Sequence, residues 1–184
     1  MGQLLMLRRS KNKVSDEDII KKAIKGDKDS INAIINENKE YLYKTAFLYI
    51  KDEEEAVEVC QETVYKAIIN IHKLKNPKYF KTWITRILIN NVNDRNRSQS
   101  KVIYDIKALE EVEDISYEKL EEKIDLYNAI DILEEKFKTP IILQYFQDMT
   151  IKEIADVLEC NENTIKTYIK RGKKKLYKIL MEGK

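Results

Sequence analysis

The sequence contains few of the residues that interrupt or crosslink a chain: four Gly, two Pro and two Cys among 184 residues. So little Gly and Pro argues against a turn-rich β-fold and leaves long segments free to form helices. Cys60 and Cys160 are far apart in sequence and His72 is the only histidine, so neither a disulfide framework nor a zinc-ligand spacing is present. We therefore expect buried thiols, no metal and no cofactor.

Long apolar runs are also missing. No segment approaches the roughly eighteen consecutive apolar residues that a membrane-spanning helix requires. The first residues, MGQLLMLRRSKNKV, place their basic side chains after a short apolar piece, which is the reverse of a secretory signal. These features predict a cytoplasmic protein.

Charge is abundant but segregated along the chain. Charged residues make up 36% of the sequence, yet the formal net charge is only +2. From Asn163 to the end there are eight Lys or Arg and a single acid, Glu182, whereas Asp105 to Asp125 contains nine acids and three Lys. A near-neutral chain with a basic end and an acidic middle is expected to bind an anionic polymer with one part only.

Apolar residues recur at three- and four-residue intervals, which predicts an all-α fold. The pattern divides into two small helical domains, 15–97 and 123–181, joined by a flexible acidic linker over 98–122. Capping residues and stop signals locate the helices. The predicted helices are Asp16 to Lys25 with Ser15 as cap, Asp29 to Ile50, a helix capped by Asp52 that ends near Ile71, a helix starting at Asn76-Pro77 that ends near Arg97, and further helices between Ile124 and Leu180.

The C-terminal stretch 150–176 predicts a helix-turn-helix. Thr150 and Glu153 have the spacing of a capping box, Asn161 can cap the second helix, and the short turn between them forces a wide crossing angle. Glu159 occupies a turn position that usually carries Gly because it needs positive φ, at a cost of about 1 kcal/mol for another residue. In such motifs the second helix enters the DNA major groove. Its predicted outward side chains are Asn163, Thr164, Lys166, Thr167, Lys170 and Arg171. The alternative is an ordinary bundle with a solvated basic face.

A polar stripe runs along the helix predicted over residues 79–97. Long donors recur at helical spacing and an aromatic residue begins the row, which suits an unpaired nucleic-acid strand. Trp83 has two interpretations, core packing, which the pattern favours, and contact with the strand. The other candidate strand-binding residues are Tyr79, Thr82, Arg86, Asn90, Asn93 and Arg97.

The helix over residues 52–71 carries acids of two kinds. Those of its first turn are explained by the helix dipole. Glu58, Gln61 and Glu62 lie further in, so we expect a partner protein to contact them.

Several motifs in order now suggest a family. They are AVEVCQETV (56–64), WITRILINNVNDRNR (83–97), FKTPIILQYF (137–146) and TIKEIA with NTIKTYIKR (150–171). Together they resemble the bacterial sigma factors of the extracytoplasmic-function group, over roughly residues 16–180. Three positions depart from the family pattern: Glu159 replaces a turn Gly, Val64 replaces an aromatic residue and Gly172 replaces Ala.

The resemblance implies an alternative sigma factor with two domains. Glu58, Gln61 and Glu62 would lie on the helix that docks on core RNA polymerase. The stripe through Arg97, with the loop before it, would capture the non-template strand at the minus-10 promoter element. The helix from Asn163 would read the minus-35 element. An anti-sigma factor, often membrane-anchored in this family, would hold the protein inactive.

Two other classes remain. A stand-alone helix-turn-helix regulator would need a dimer seam or a ligand pocket in the N-terminal domain. An enzyme would need a catalytic cluster or a phosphate-binding loop, and the sequence has neither a second His nor a glycine-rich loop; no small-molecule substrate is expected. We also expect the linker acids Glu110, Glu111, Glu113 and Asp114 to fold back on the basic C-terminal helix and weaken its contact with DNA.

Overall fold

The structure, a computed structural model, describes residues 16–103 and 126–182. Every regular element within these two ranges is helical, as the sequence predicts. The elements are α1 (Asp16–Ile24), α2 (Lys28–Ile50), α3 (Glu53–Asn70), two 3₁₀ turns (Ile71–Lys73 and Pro77–Tyr79), α4 (Phe80–Ile103), α5 (residues 126–131), α6 (Glu135–Tyr145), α7 (Ile151–Leu158) and α8 (Glu162–Glu182).

Helices α1 to α4 form the N-terminal bundle, and short polar side chains set where its helices begin. Asp27 accepts a hydrogen bond from the Ser30 backbone N–H at 2.9 Å, and Asp52 accepts one from the Glu55 N–H at 2.8 Å. Each such cap is worth about 1 kcal/mol because it satisfies an otherwise unpaired amide. Between the helices lie fully buried apolar side chains, among them Leu42, Ala46, Ala56, Ile84 and Leu88.

Helix α4 differs from its predicted bounds at both ends. Asn76 and Pro77 do start a helical segment, with the Asn76 side chain accepting from the Lys78 N–H at 3.0 Å, but its first turn is 3₁₀ and α4 itself begins at Phe80. The predicted end near Arg97 is wrong, because α4 continues to Ile103. No Gly or Pro stands between Arg97 and Ile103 to stop it.

Helices α5 to α8 form the C-terminal bundle, which contains the helix-turn-helix. The capping box is confirmed: the Glu153 N–H donates to Thr150 Oγ1 at 3.3 Å, and the Thr150 N–H donates to Glu153 Oε2 at 2.8 Å. Asn161 Oδ1 accepts from the Asn163 N–H at 2.8 Å, so Asn161 caps α8. Glu159 ends α7 in the left-handed region at φ 53°, as expected for that turn position.

Close approach of α6 and α8 explains one departure from the family pattern. Gly172 is buried in α8, and a Cβ built there would lie 2.6 Å from Ile141 Cδ1 and 3.2 Å from Phe137 Cβ. Those distances are too short for ordinary packing, so these two side chains fill the space that an Ala would need. Phe137 also meets the Tyr168 ring edge-on, with centroids 5.8 Å apart.

The two bundles contact each other along a seam where α4 packs against α7. At another point of the seam Asp131 of α5 bridges Lys51, at 3.2 Å, and Lys138, at 2.9 Å. Only 7% of the Lys138 side chain is exposed. A buried ammonium of this kind requires a paired carboxylate, so the bridge also fixes α6 against the end of α2.

Some sequence-based predictions fall on other residues. Ser15 and the linker acids Glu110, Glu111, Glu113 and Asp114 lie outside the described residues, so their predicted roles stay predictions. Among the described helices, none is both long and apolar enough to cross a bilayer.

Candidate nucleic-acid interfaces

The outward face of α8 is open in the structure. Asn163, Lys166, Thr167, Lys170 and Arg171 are exposed, and Thr164 is half-buried. Thr167 donates its hydroxyl to the Asn163 carbonyl at 2.8 Å, so its methyl group is the part turned toward a ligand. Ile165 and Ile169 on the opposite side are buried, which holds the polar face outward. This arrangement places Asn, Thr, Lys and Arg donors in a row at the start of a helix, as major-groove readout requires.

Tyr145 is part of the same surface, although sequence reasoning missed it. Its ring is 51% exposed at the end of α6, and the Lys173 ammonium lies 5.6 Å from the ring centroid. Gln144, Tyr145, Lys166 and Lys170 line one shallow cavity. Tyr145 closes a motif quoted above, FKTPIILQYF, but only the packing of α6 beside α8 brings it to the recognition face.

The predicted strand-binding stripe on α4 is assembled in part. Asn90 and Tyr79 are exposed, and Asn93 is half-buried. Trp83 is also half-buried, with its ring 6.0 Å from the Phe80 ring, so it combines core packing with an accessible edge. These residues remain available to a ligand.

Thr82 and Arg97 are two further members of the predicted strand-binding stripe. The structure differs from the sequence interpretation at Thr82, which is only 6% exposed and so does not lie on an open face. Its position on the boundary of the α4 polar stripe makes it the member most easily covered when another element packs there. The Arg97 side chain lies outside the described part of the structure.

Trp83 and Asn90 face a cavity of about 390 Å³ that also takes residues from preceding elements. Lys66 and Asn70 come from α3, and Lys73 comes from the 3₁₀ turn after it. Two ammonium groups and an amide beside an aromatic ring suit a phosphate-linked base, although the Asp94 carboxylate also lines the cavity. Within the chain Lys66 donates to Asn91 Oδ1 and Lys73 donates to Asn70 Oδ1, each at 2.6 Å. Lys73 begins the loop over 73–80 that the family resemblance already implied in strand capture, whereas sequence reasoning missed Lys66 and Asn70 because they come from a different helix.

Arg86 is turned away from this cavity toward α7. Its Nη1 donates to Glu159 Oε1 at 2.9 Å, and its Nη2 donates to the Asp156 carbonyl in a very short contact. Its Nε is buried and has no hydrogen-bond partner among the described residues. The side chain with the strongest capacity to bind phosphate is therefore engaged by the chain itself.

The predicted docking face of α3 is exposed at Glu58, Gln61 and Glu62. Arg95 of α4 binds Glu58 at 2.7 Å and Glu55 at 3.1 Å, and these hydrogen bonds, that of Glu58 first, raise the pKa of Arg95. Lys66 binds Glu62 at 3.2 Å. Gln61 thus presents an unpaired polar group between two acids that other residues hold in place.

Apolar side chains flank these acids on the same helix. Val57, Tyr65, Ile68 and Ile69 are all exposed, and Tyr65 reaches 59%. Exposed apolar side chains grouped on one helix mark a protein-binding surface more often than scattered ones do. Val57, Gln61, Tyr65 and Ile69 recur at four-residue intervals, which places them on one side of a helix. This spacing could have predicted the apolar surface, but only the acids of the helix were interpreted.

The described residues show neither a metal site nor a reactive thiol. No group of three or more His, Cys, Asp or Glu within 16–103 and 126–182 could hold a metal ion. Burial raises the pKa of Cys60 to about 11, and burial also raises the pKa of Cys160. A thiol with a raised pKa is a poor nucleophile near neutral pH.

Comparison with known families matches both bundles. The family model described as Sigma-70 region 2 matches residues 34–102, and that described as Sigma-70 region 4 matches residues 123–176. The first contains the stripe on α4 and the docking face of α3, and the second contains the helix-turn-helix. The candidate interfaces therefore divide between the two matched regions.

Individual relatives agree with the family models. The RNA polymerase sigma factor SigV of Bacillus subtilis is 33% identical over 141 residues, which cover 76% of this chain and 84% of that protein. The ECF RNA polymerase sigma factor SigW of the same organism is 28% identical over 178 residues, covering 89% of this chain and 95% of that protein.

Solved structures share the fold. The structure of CnrH in complex with the cytosolic domain of CnrY superimposes with a TM-score of 0.72 at 19% identity, covering 92% of this chain and 99% of that one. The sigma factor RpoE from Bartonella quintana, in complex with the anti-sigma factor NepR, gives a TM-score of 0.66 at 20% identity, covering 82% of this chain and 96% of that one. With both regions matched in order along one chain, this protein belongs to the extracytoplasmic-function group of the sigma-70 family of RNA polymerase sigma factors.

Proposed function

We propose that this protein is an alternative sigma factor that binds core RNA polymerase and directs it to specific promoters, without catalytic activity of its own. The observation that carries the proposal is that one chain presents two polar nucleic-acid faces of different kinds and a separate protein-docking face. The α8 face is a row of exposed basic and amide side chains at the start of one helix, as duplex readout requires. The α4 cavity places the Trp83 ring beside side chains of α3 and the following turn, as capture of an unpaired base requires.

The roles then divide among the surfaces. The outward residues of α8 read the minus-35 element: Asn163, Thr164, Lys166, Thr167, Lys170 and Arg171. Trp83 and Asn90, with Lys66, Asn70 and Lys73 beside them, hold the non-template strand at the minus-10 element. Gln61 and the apolar side chains around it dock on polymerase. Because polymerase and promoters are cytoplasmic in bacteria, so is the protein.

We extend the proposal to an anti-sigma partner. CnrH and RpoE are each found in complex with another protein, CnrY and NepR respectively, and the latter is an anti-sigma factor. In the present chain a cavity of about 850 Å³ opens between α2 and the C-terminal bundle. Tyr43, Phe47, Tyr127 and Phe146 line it, so it offers aromatic surface to an inserted helix of the inhibitor.

Titration of core RNA polymerase with the labelled full-length protein tests the central claim. Wild type should form a holoenzyme, and Gln61→Ala with Glu62→Lys should weaken it by at least about tenfold, as expected for the loss of an interface hot spot. Asp29→Lys, an exposed acid on α2, is the matched charge-reversal control and should bind like wild type.

Two results would contradict the proposal. If wild type shows no affinity for core polymerase but binds a duplex operator alone, the stand-alone regulator is correct. If the double variant keeps its helical content by circular dichroism and its wild-type affinity, then α3 is not the docking element. If the holoenzyme forms as proposed, sequencing of transcripts after overexpression would identify its promoters.

A further inference from the structure

Arg86 is bound at the C-terminal end of α7. The last carbonyls of a helix lack intrahelical partners and carry the negative end of the helix dipole. At this end the backbone N–H groups of Glu159 and Cys160 both bond to the Ala155 carbonyl, at 3.1 Å for Cys160, and neither bonds to the next carbonyl, that of Asp156. The guanidinium of Arg86 takes the Asp156 carbonyl instead. A cation is therefore bound at the helix end where it is most favourable.

Glu159 adds the second half of this contact. It adopts φ 53° and ψ 42°, a conformation that costs a residue with a Cβ about 1 kcal/mol and costs Gly little. The same conformation directs its carboxylate to Arg86 Nη1 at 2.9 Å. A Gly at this turn would remove the strain but would leave Arg86 without its carboxylate partner.

Neighbouring contacts position the pair. The Tyr41 hydroxyl lies 2.6 Å from Thr85 Oγ1, beside Arg86 on α4, and the Lys81 ammonium lies 4.9 Å from the Tyr41 ring centroid. Lys81 also lies close enough to Glu153 of α7 to lower the pKa of that carboxyl, after the larger effect of its hydrogen bonds with Thr150. Lys81 therefore adds a second attraction between α4 and α7, while its contact with Tyr41 and the Tyr41–Thr85 hydrogen bond hold α4 against α2.

We propose that Arg86, Glu159 and the Asp156 carbonyl form a latch that closes the two domains on each other and competes with the DNA strand for Arg86. A guanidinium engaged by a carboxylate and a carbonyl cannot also bind a phosphate with the same N–H groups. The latch would keep the strand-binding face incomplete until promoter contacts replace it. The interdomain contact itself needs no assumption about function, and its competition with DNA rests on the strand-binding role that the proposed function gives to α4.

The ion pair between Arg86 and Glu159 is accessible to solvent. Arg86 is 36% exposed and Glu159 is 70% exposed, so solvent and salt screen the ion pair. The buried Nε of Arg86 remains unsatisfied among the described residues. An unpaired buried donor is costly, and a phosphate oxygen that reached this N–H would remove that cost. A nucleic-acid strand can therefore compete with the latch for Arg86.

Interdomain distances in the full chain test the latch. Spin labels at the exposed positions Asn32 and Lys174, in a background with Cys60→Ala and Cys160→Ala, report the separation of the two bundles by electron–electron double resonance. Wild type should give one narrow distribution. Glu159→Gln and Glu159→Gly should both add a longer, broader population, and the exchange of Arg86→Glu with Glu159→Arg should restore part of the narrow one. Glu162→Gln is the matched control and should match wild type.

A second measurement uses a labelled short single-stranded oligonucleotide of mixed sequence. Release of an exposed ion pair should increase the affinity of Glu159→Gln by about two- to fivefold over wild type at low salt. The gain should vanish in the Arg86→Gln background.

The outcomes separate the two ideas. Identical distance distributions for wild type, Glu159→Gln and Glu159→Gly would overturn the latch. Opening by Glu159→Gly alone would also overturn it, because backbone strain and not the carboxylate would then control closure. If Glu159→Gln opens the domains but does not increase the affinity for the oligonucleotide, the contact still holds the two domains together in wild type, and the masking of Arg86 is refuted. If Asn90→Ala binds the oligonucleotide as well as wild type does, the strand-binding role in the proposed function fails instead.

Discussion

The two faces assigned to nucleic acid differ in what they contact within the chain. On α8 the side chains of Lys166, Thr167, Lys170 and Arg171 are exposed, and Ile165 and Ile169 pack the opposite side of the helix into the core. On α4 the corresponding charged side chain, Arg86, is bound by α7. One of the two proposed DNA-binding faces is thus open in the closed chain while the other is partly covered. If the proposed roles are correct, duplex recognition needs no rearrangement and strand capture does.

Basic residues on α8 are themselves of two kinds. Lys175 pairs with Glu134, whose pKa falls to about 2 because Lys136 and Lys175 donate hydrogen bonds to it. Lys173 lies over the Tyr145 ring. These two lysines attach α8 to α6, so the charge count from the sequence overstates the number of cations available to DNA.

The largest effect is expected on the open face. Removing the Lys170 or Arg171 side chain, with substitution by Ala, should cost about 1–3 kcal/mol on a cognate minus-35 element if that side chain bonds to a base edge. Preference should relax at one base position. Lys174→Ala is the control, since a phosphate contact should weaken all sequences alike. Selection from randomised minus-35 elements, performed with holoenzyme, measures this, and an unchanged motif for both variants would contradict base reading.

A smaller effect is expected on the covered face. Asn90→Ala should impair open-complex formation more than closed-complex binding, by about 1 kcal/mol for one lost hydrogen bond. Arg86→Ala should also impair open-complex formation more than closed-complex binding. Its effect should be partly offset, because the variant also loses the latch that covers this face. Permanganate footprints on a cognate promoter report the melted bases. Footprints equal to wild type for both variants would remove α4 from strand capture.

Gly172→Ala probes the packing that holds the open face in place. Ala favours a helix over Gly by about 1 kcal/mol, yet the added Cβ would lie 2.6 Å from Ile141 Cδ1. We expect overpacking to outweigh propensity and lower the stability by about 1 kcal/mol net. Ile141→Val deletes the clashing methyl, so the double variant should recover stability relative to the sum of the two single changes. Urea denaturation measures the cycle, and simple additivity would show that the contact is not strained.

The smallest effect concerns the two thiols, one in each domain. Burial raises the pKa of Cys60 to about 11, and it raises that of Cys160 too. Because the thiolate is the reactive form, alkylation of both should be slow at about pH 8 compared with an unfolded thiol, and should accelerate as the pH rises. Mass spectrometry of iodoacetamide-treated protein gives the two rates. Fast labelling of Cys60 at about pH 8 would show that its side of α3 opens in solution.

Local features were predictable because they depend on neighbours in sequence. Asp52, Thr150 with Glu153, and Asn161 were identified as caps from their spacing alone, and each accepts the expected backbone hydrogen bond. The positive φ of Glu159 was expected because its position in a helix-turn-helix usually carries Gly. The outward residues of α8 followed from helical periodicity. All of these are decided within one or two helical turns.

Long-range features were not predictable in the same way. Thr82 belongs to the polar stripe by periodicity, yet it is buried. Lys66 and Asn70 join the α4 cavity from a different helix. Periodicity indicates that a face is polar but does not indicate which other element will cover it.

The sequence by itself determined an all-helical chain with two domains, the start of most helices, and the helix whose exposed face carries basic and amide groups. These follow from capping chemistry, from the scarcity of Gly and Pro and from the recurrence of apolar residues. Only the tertiary structure decided that Gly172 makes room for Ile141 and that Arg86 is bound by Glu159 and the end of α7. The reason is physical: both depend on how closely two distant helices approach, and packing of whole faces sets that distance.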